Sequence, residues 1–124
     1  MRSQSGTLIL EVEQIRQVTL VRVVHRPLAP VEYEESLGTA LLRLLGDAGR
    51  PLVVLNLGAL PLLGSSLLGN LLTFRKAVLA RGGRLALCHV SAAIQEALAV
   101  VKLSRLFSVY ENEELATQVL EQPA

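Results

Sequence analysis

Two short runs, Pro51–Leu57 (PLVVLNL) and Arg84–Val90 (RLALCHV), are apolar at nearly every position. Apolar runs of this length suit strands covered on both faces, as in the middle of a parallel sheet. Parallel neighbours need a crossover between them, and the intervening chain supplies one. From Ser66 to Arg81, Leu67, Leu71, Phe74 and Val78 form one stripe at helical spacing, with Leu68, Leu72 and Leu79 beside it. Ser66, Asn70, Thr73 and Lys76 take the other side. Arg81 and then Gly82-Gly83 supply a basic last turn and a stop.

The flanking chain extends this strand–helix–strand unit. Thr7–Ile15 (TLILEVEQI) alternates, with Leu8, Leu10 and Val12 on one face and Ile9, Glu11 and Glu13 on the other, as in a half-buried strand. Val18–Val24 (VTLVRVV) is β-branched and reads as a second strand, although the link between the two lacks an Asn-Gly or Gly-Gly signal. After RPLAP, a helix is expected from about Val31 to Leu45, with Tyr33, Leu37, Ala40, Leu41 and Leu44 on one face and Glu32, Glu34 and Glu35 in its first turn. Ser91 is placed to cap a helix with Ile94, Ala97, Leu98 and Val101 inward. Leu106–Tyr110 reads as a short strand, and Asn112 with Glu113 and Glu114 opens a last helix with Leu115, Val119 and Leu120 inward. The order is β-β-α-β-α-β-α-β-α: an α/β fold with a mixed, mostly parallel sheet of about five strands and four helices, its opening pair antiparallel at one edge. The 124 residues suit one domain, with a core over about 7–120.

Composition narrows the function. With two Tyr, two Phe and no Trp the core must be aliphatic, and few rings are available to stack on bases. The formal net charge is +1 with both signs spread along the chain, which argues against nucleic acid as a partner. One cysteine, Cys88, excludes an intramolecular disulfide and any cysteine-pair metal site. No stretch is long and apolar enough to insert in a membrane, and the N-terminus makes a poor signal peptide, so a soluble cytoplasmic protein is expected.

Catalytic chemistry finds little material. His25 and His89 have no metal-ligating partner at helical or strand spacing, and His89 reads as structural. Cys88 reads as a small core hydrophobe. GSSLLG lacks the spacing of a nucleophile elbow, and RGGR (Arg81–Arg84) is too short for a phosphate-cradling loop. The acidic clusters at Glu32, Glu34, Glu35 and at Glu111, Glu113, Glu114 read as solvated charges at helix starts, and Asp47 is the sole aspartate. No catalytic residue, metal site or cofactor is expected.

The serines remain. Ser65 and Ser66 precede an amphipathic helix, in LPLLGSSLLGNLL. Helix capping accounts for one of them, and the start of the period assigns that role to Ser66. Ser65, one residue further out, is then free to accept a phosphate, which the helix N-terminus would tolerate.

From about Leu52 to Leu120 the chain resembles the STAS domain, the family of sulfate transporter domains and anti-sigma factor antagonists. The resemblance rests on a buried strand, a Ser-Ser helix start, the RGGRLALCHVSAAIQEAL run and the KLSRLFSVYENEELA run. The family's Asp-Ser-Ser-Gly element reads Gly64-Ser65-Ser66-Leu67 here, so the aspartate and the glycine are both replaced. The resemblance implies a non-catalytic regulator that binds an anti-sigma factor acting as a serine kinase of the histidine-kinase-like ATPase type. It also implies phosphorylation at Ser65 (alternatively Ser66), a phosphatase that reverses it, and a partner surface of Gly64, Ser65, Ser66, Asn70, Thr73 and Lys76. Two other readings are a STAS subunit or scaffold that binds a transporter or regulatory complex without phosphorylation, and a small-ligand or nucleotide module using the strand ends near Asn56 and Ser65.

Overall fold

The computed structural model describes residues 6–27, 37–47, 49–60 and 64–123, with side chains from residue 9 to 24 in the first of these segments. The expected helix start, with Tyr33, Glu32, Glu34 and Glu35, lies outside the described residues, as does the His25 side chain.

Strands β1 (Gly6–Ile15) and β2 (Val18–Pro27) form an antiparallel hairpin. Its two-residue turn has no glycine; Arg16 itself takes the left-handed conformation, with φ 52°. Two bonds hold the turn: Gln14 Nε2 donates to the Arg16 carbonyl (3.1 Å) and the Thr19 hydroxyl to Gln14 Oε1 (3.0 Å). The remaining elements are α1 (Leu37–Leu45), β3 (Leu52–Asn56), α2 (Ser65–Ala80), β4 (Arg84–Cys88), α3 (Ala92–Val100), a 3-10 turn (Ser104–Leu106), β5 (Ser108–Tyr110) and α4 (Glu113–Glu121). The sheet order is β1-β2-β3-β4-β5, with β2 through β5 parallel, so the order and the mixed sheet expected from the sequence are both present.

Strand alternation sorts the core into two layers. Val21, Val23, Val53, Leu55 and Leu87 point to the face covered by α1, α2 and α3, where Leu41, Leu71, Phe74, Val78 and Ile94 meet them. Val18, Leu20, Val54, Ala86 and Cys88 point to the opposite face, which α4 covers with Ala116 and Leu120. The PLVVLNL and RLALCHV runs therefore are double-faced strands, and β3 lies at the middle of the sheet.

Three inward assignments change. On α3 only Ile94 and Leu98 are buried; Ala97 and Val101 are exposed, so the helix turns only a narrow stripe inward. On α4 the buried residues are Ala116, Thr117 and Leu120, while Leu115 points to solvent. Small Ala116 lets the helix sit close on Val54 and Ala86, and this rotation carries Leu115 off the contact. Leu79 is exposed as well, in the last turn of α2.

Caps follow local chemistry. Ser91 Oγ accepts from the Ile94 N–H (3.1 Å), and Asn112 Oδ1 from the Leu115 N–H (2.8 Å), as the sequence predicts. Gly82 ends α2 at φ +73°, and Gly83 passes so close to Pro51 that a Cβ there would lie 2.1 Å from the Pro51 carbonyl oxygen.

Candidate partner-binding surface

Central strand β3 leads through Leu57–Leu60 to Gly64, the N-cap of α2. Gly64 is extended (φ −77°, ψ 169°) and its carbonyl accepts the Leu68 N–H at 2.9 Å. Helix α2 therefore starts at Ser65, and both serines lie in its first turn. This corrects the expected division: Ser66 does not cap the helix, and no side chain makes a cap bond there. The physical reason is the hydrogen-bond register, since the first carbonyl used belongs to Gly64, one residue earlier than the apolar period implies. Both serines are exposed, next to backbone N–H groups that the helix leaves unpaired.

Along α2, Ser66, Thr73 and Lys76 are exposed on the strip that the sequence placed outward. Asn70 is half-buried instead. It fills the crossing of α1 and α2, where a Cβ added to Gly38 would lie 2.6 Å from Asn70 Oδ1. Leu67, at the position of the family's glycine, packs against the edge of the core. Arg75, beside this strip, is engaged: its Nε donates to the Leu106 carbonyl at 2.7 Å and ties α2 to the 3-10 turn.

A polar cluster that the sequence reading missed sits behind this surface. Arg22 and Asn56 are register neighbours on β2 and β3, on the α4 face. Arg22 Nε and Nη2 donate to Glu113 Oε2 and Oε1 (2.7 and 2.9 Å), and Asn56 Nδ2 donates to Glu113 Oε2 (2.6 Å). Asn56 Oδ1 then accepts the Gly58 N–H at 2.8 Å, at the start of the loop that leads to α2. Glu113 is thus no free solvated charge. The Arg22 hydrogen bond holds its carboxyl below the usual range against the opposing effect of burial, with the Asn56 bond adding to the Arg22 effect. An arginine inside a β-branched strand was the available signal, because a cation facing a sheet interior requires a carboxylate. Next to Asn56 in register is Cys88, whose thiol burial, with the Glu113 charge, pushes up to about 12. His89 follows it, exposed and left-handed at φ 53°.

Among the described residues, no group of three or more His, Cys, Asp or Glu is placed to hold a metal ion. No described helix is long and apolar enough to cross a membrane. The small-ligand reading places its site at the strand ends near Asn56 and Ser65; of these, the Asn56 side chain has both its amide nitrogen and its oxygen engaged within the protein.

Fold and surface together define a mixed-sheet α/β domain whose helix α2 exposes Ser65, Ser66, Thr73 and Lys76. The STAS domain model matches residues 9–116, and the chain belongs to the STAS domain family. Solved structures share the fold. A STAS domain protein described as an anti-sigma-factor antagonist, from Planctomyces limnophilus, is 24% identical with a TM-score of 0.76, over 91% of this chain and 98% of its own. An anti-sigma factor antagonist from Mycobacterium paratuberculosis is 21% identical with a TM-score of 0.73, over 94% and 96%. No curated protein sequence matches the chain.

Proposed function

We propose that this STAS protein is a non-catalytic, anti-sigma factor antagonist-like regulator. It docks through the start and outer strip of α2 on an anti-sigma partner of the serine-kinase, histidine-kinase-like type. Ser65 is the phosphate acceptor, and Gly64, Ser66, Thr73 and Lys76 complete the dock, with Asn70 setting its shape at the α1 crossing. The observation that carries this reading is Ser65 itself: an exposed hydroxyl at the first position of α2, with no capping bond to lose. A phosphate there would add nearly two negative charges beside unpaired N–H groups, which the free protein tolerates. Against a docked partner the same charge would weaken complementarity, and a phosphatase would restore it. The description of the mycobacterial structure as an anti-sigma factor antagonist supports the same class of partner.

Gly64 and Leu67 favour one second reading. With no carboxylate beside the serines, and leucine packed where the family has glycine, α2 would serve as a constitutive dock for a transporter or regulatory scaffold. Incubation with candidate anti-sigma kinases and ATP, followed by mass-spectrometric mapping, separates the two. Phosphate on Ser65, with binding weakened by Ser65→Asp, supports the switch. Phosphate on Ser66 alone moves the acceptor, and binding without phosphate on either serine establishes the constitutive dock. Nucleotide hydrolysis by the isolated protein, abolished by Ser65→Ala, would overturn the non-catalytic assignment.

A further inference from the structure

Charge that looks evenly spread in the sequence is sorted by the fold. Strands β2 to β5 are parallel, so they all begin at one edge of the sheet, and the β1–β2 turn and the C-terminal ends of the four helices lie at that same edge. Arg16, Arg50, Arg81, Arg84, Lys102 and Arg105 lie along it, from four separate segments, against the carboxylates of Asp47 and Glu121. Arg16 already pairs with Glu121. Among the described residues the other five cations enter no ion pair. Arg81 and Arg84 donate to backbone carbonyls at the ends of α1 and α4, of Gly46 (3.3 Å) and Gln122 (2.9 Å), and have no carboxylate partner. At the opposite edge α4 begins with Glu111, Glu113 and Glu114 around it, and Arg22 pairs with Glu113 there, so the excess of positive charge is confined to one end.

The basic edge is also apolar. Val100, Val101 and Leu106 are 76%, 51% and 38% exposed, and Lys102 and Arg105 stand between them; Leu79 lies in the last turn of α2. Single exposed aliphatics are ordinary, but aliphatics interleaved with unpaired cations are the pattern of an interfacial surface. Nucleic acid fits poorly, because Phe74 and Phe107 are buried, Tyr110 is half-buried and the exposed His89 lies at the opposite edge, which leaves no described ring at this edge free to stack. A small acidic ligand fits poorly as well: the cavity at this edge is lined by only two of these cations, Arg50 and Arg84, and by the Glu121 carboxylate beside them.

We propose that this edge docks on an anionic phospholipid bilayer. Its cations meet head-group phosphates, and Val100, Val101 and Leu106 rest at the head-group boundary, with no segment crossing the membrane. Such docking leaves the Ser65 end of the molecule facing away from the lipid. The proposal does not depend on the function proposed above.

Vesicle co-sedimentation tests it. The protein should bind vesicles of equal phosphatidylglycerol and phosphatidylcholine, release as salt is raised, and ignore pure phosphatidylcholine. The triple variant Arg50→Glu/Lys102→Glu/Arg105→Glu should lower partitioning about a hundredfold or more, because each cation near an anionic surface is worth roughly a fivefold change. Val100→Ser/Val101→Ser should lower it about fivefold with the charge intact. Unchanged circular dichroism and melting confirm that both variants are folded. Equal binding to both lipid mixtures, no binding to either, or wild-type partitioning of the triple variant overturns the proposal. So does tighter binding to a single-stranded oligonucleotide that the valine substitutions leave intact, which would make the edge a nucleic-acid surface.

Discussion

Glu113→Gln gives the sharpest test of the cluster behind α2. The substitution keeps the shape of the side chain and removes its charge. Glu113 accepts three hydrogen bonds, two from Arg22 and one from Asn56. A glutamine oxygen can keep those at one position, but its NH2 group then faces the remaining donor. Bonds to a charged group contribute roughly 1.5–3 kcal/mol each, and exposed ion pairs only about 0–1. The Arg22 and Glu113 side chains are 34% and 24% exposed, between those limits, so a loss of about 2 kcal/mol at neutral pH is expected. For a domain of this size that lowers the melting temperature by about 6–8 °C. The pH dependence carries a sign. The folded carboxyl titrates below its ordinary value, so its contribution is complete above the unfolded carboxylate pKa and is lost as pH falls through the folded one. Wild type and variant should therefore converge in acid. Urea or thermal melts from neutral pH to about pH 3 read both effects. A variant as stable as wild type at neutral pH, or a gap that stays constant into acid, would refute the assigned role.

The remaining predictions use the same melts or simple chemistry. Ser91→Ala and Asn112→Ala should each cost about 1 kcal/mol as lost caps, while Ser65→Ala and Ser66→Ala stay within about 0.5 kcal/mol; a loss at Ser66 as large as at Ser91 would restore the capping role that the register denies it. Gly83→Ala forces a Cβ to within 2.1 Å of the Pro51 carbonyl oxygen, so a loss of at least about 3 kcal/mol is expected, similar to Phe74→Ala in the core. Cys88 should resist alkylation by iodoacetamide at neutral pH until the protein unfolds, because its buried thiol titrates at about 12; rapid labelling of the native protein would contradict its burial.

The sequence by itself determined the element order, the mixed sheet and two of the caps. Those properties are local or periodic: double-faced apolar runs mark inner parallel strands, a 3.6-residue stripe marks α2, and Ser91 and Asn112 sit directly before helical periods. The exposed strip of α2 at Ser66, Thr73 and Lys76 was legible for the same reason. Which residue begins α2 was not, because Leu67 and Leu68 show only that a helix is under way, whereas the carbonyl that opens it belongs to Gly64. Nor did the sequence show Arg22, Asn56 and Glu113 as one cluster, since they are brought together by strand register and by α4 lying across the sheet, over separations of up to 91 residues. The inward face of α4 was decided the same way: Leu115 is the more apolar side chain, but small Ala116 allows the closer approach to Val54 and Ala86. The segregation of charge is purely tertiary. Arginines that punctuate the sequence at Arg16, Arg50, Arg81 and Arg105 share one edge only because the parallel strands all begin there.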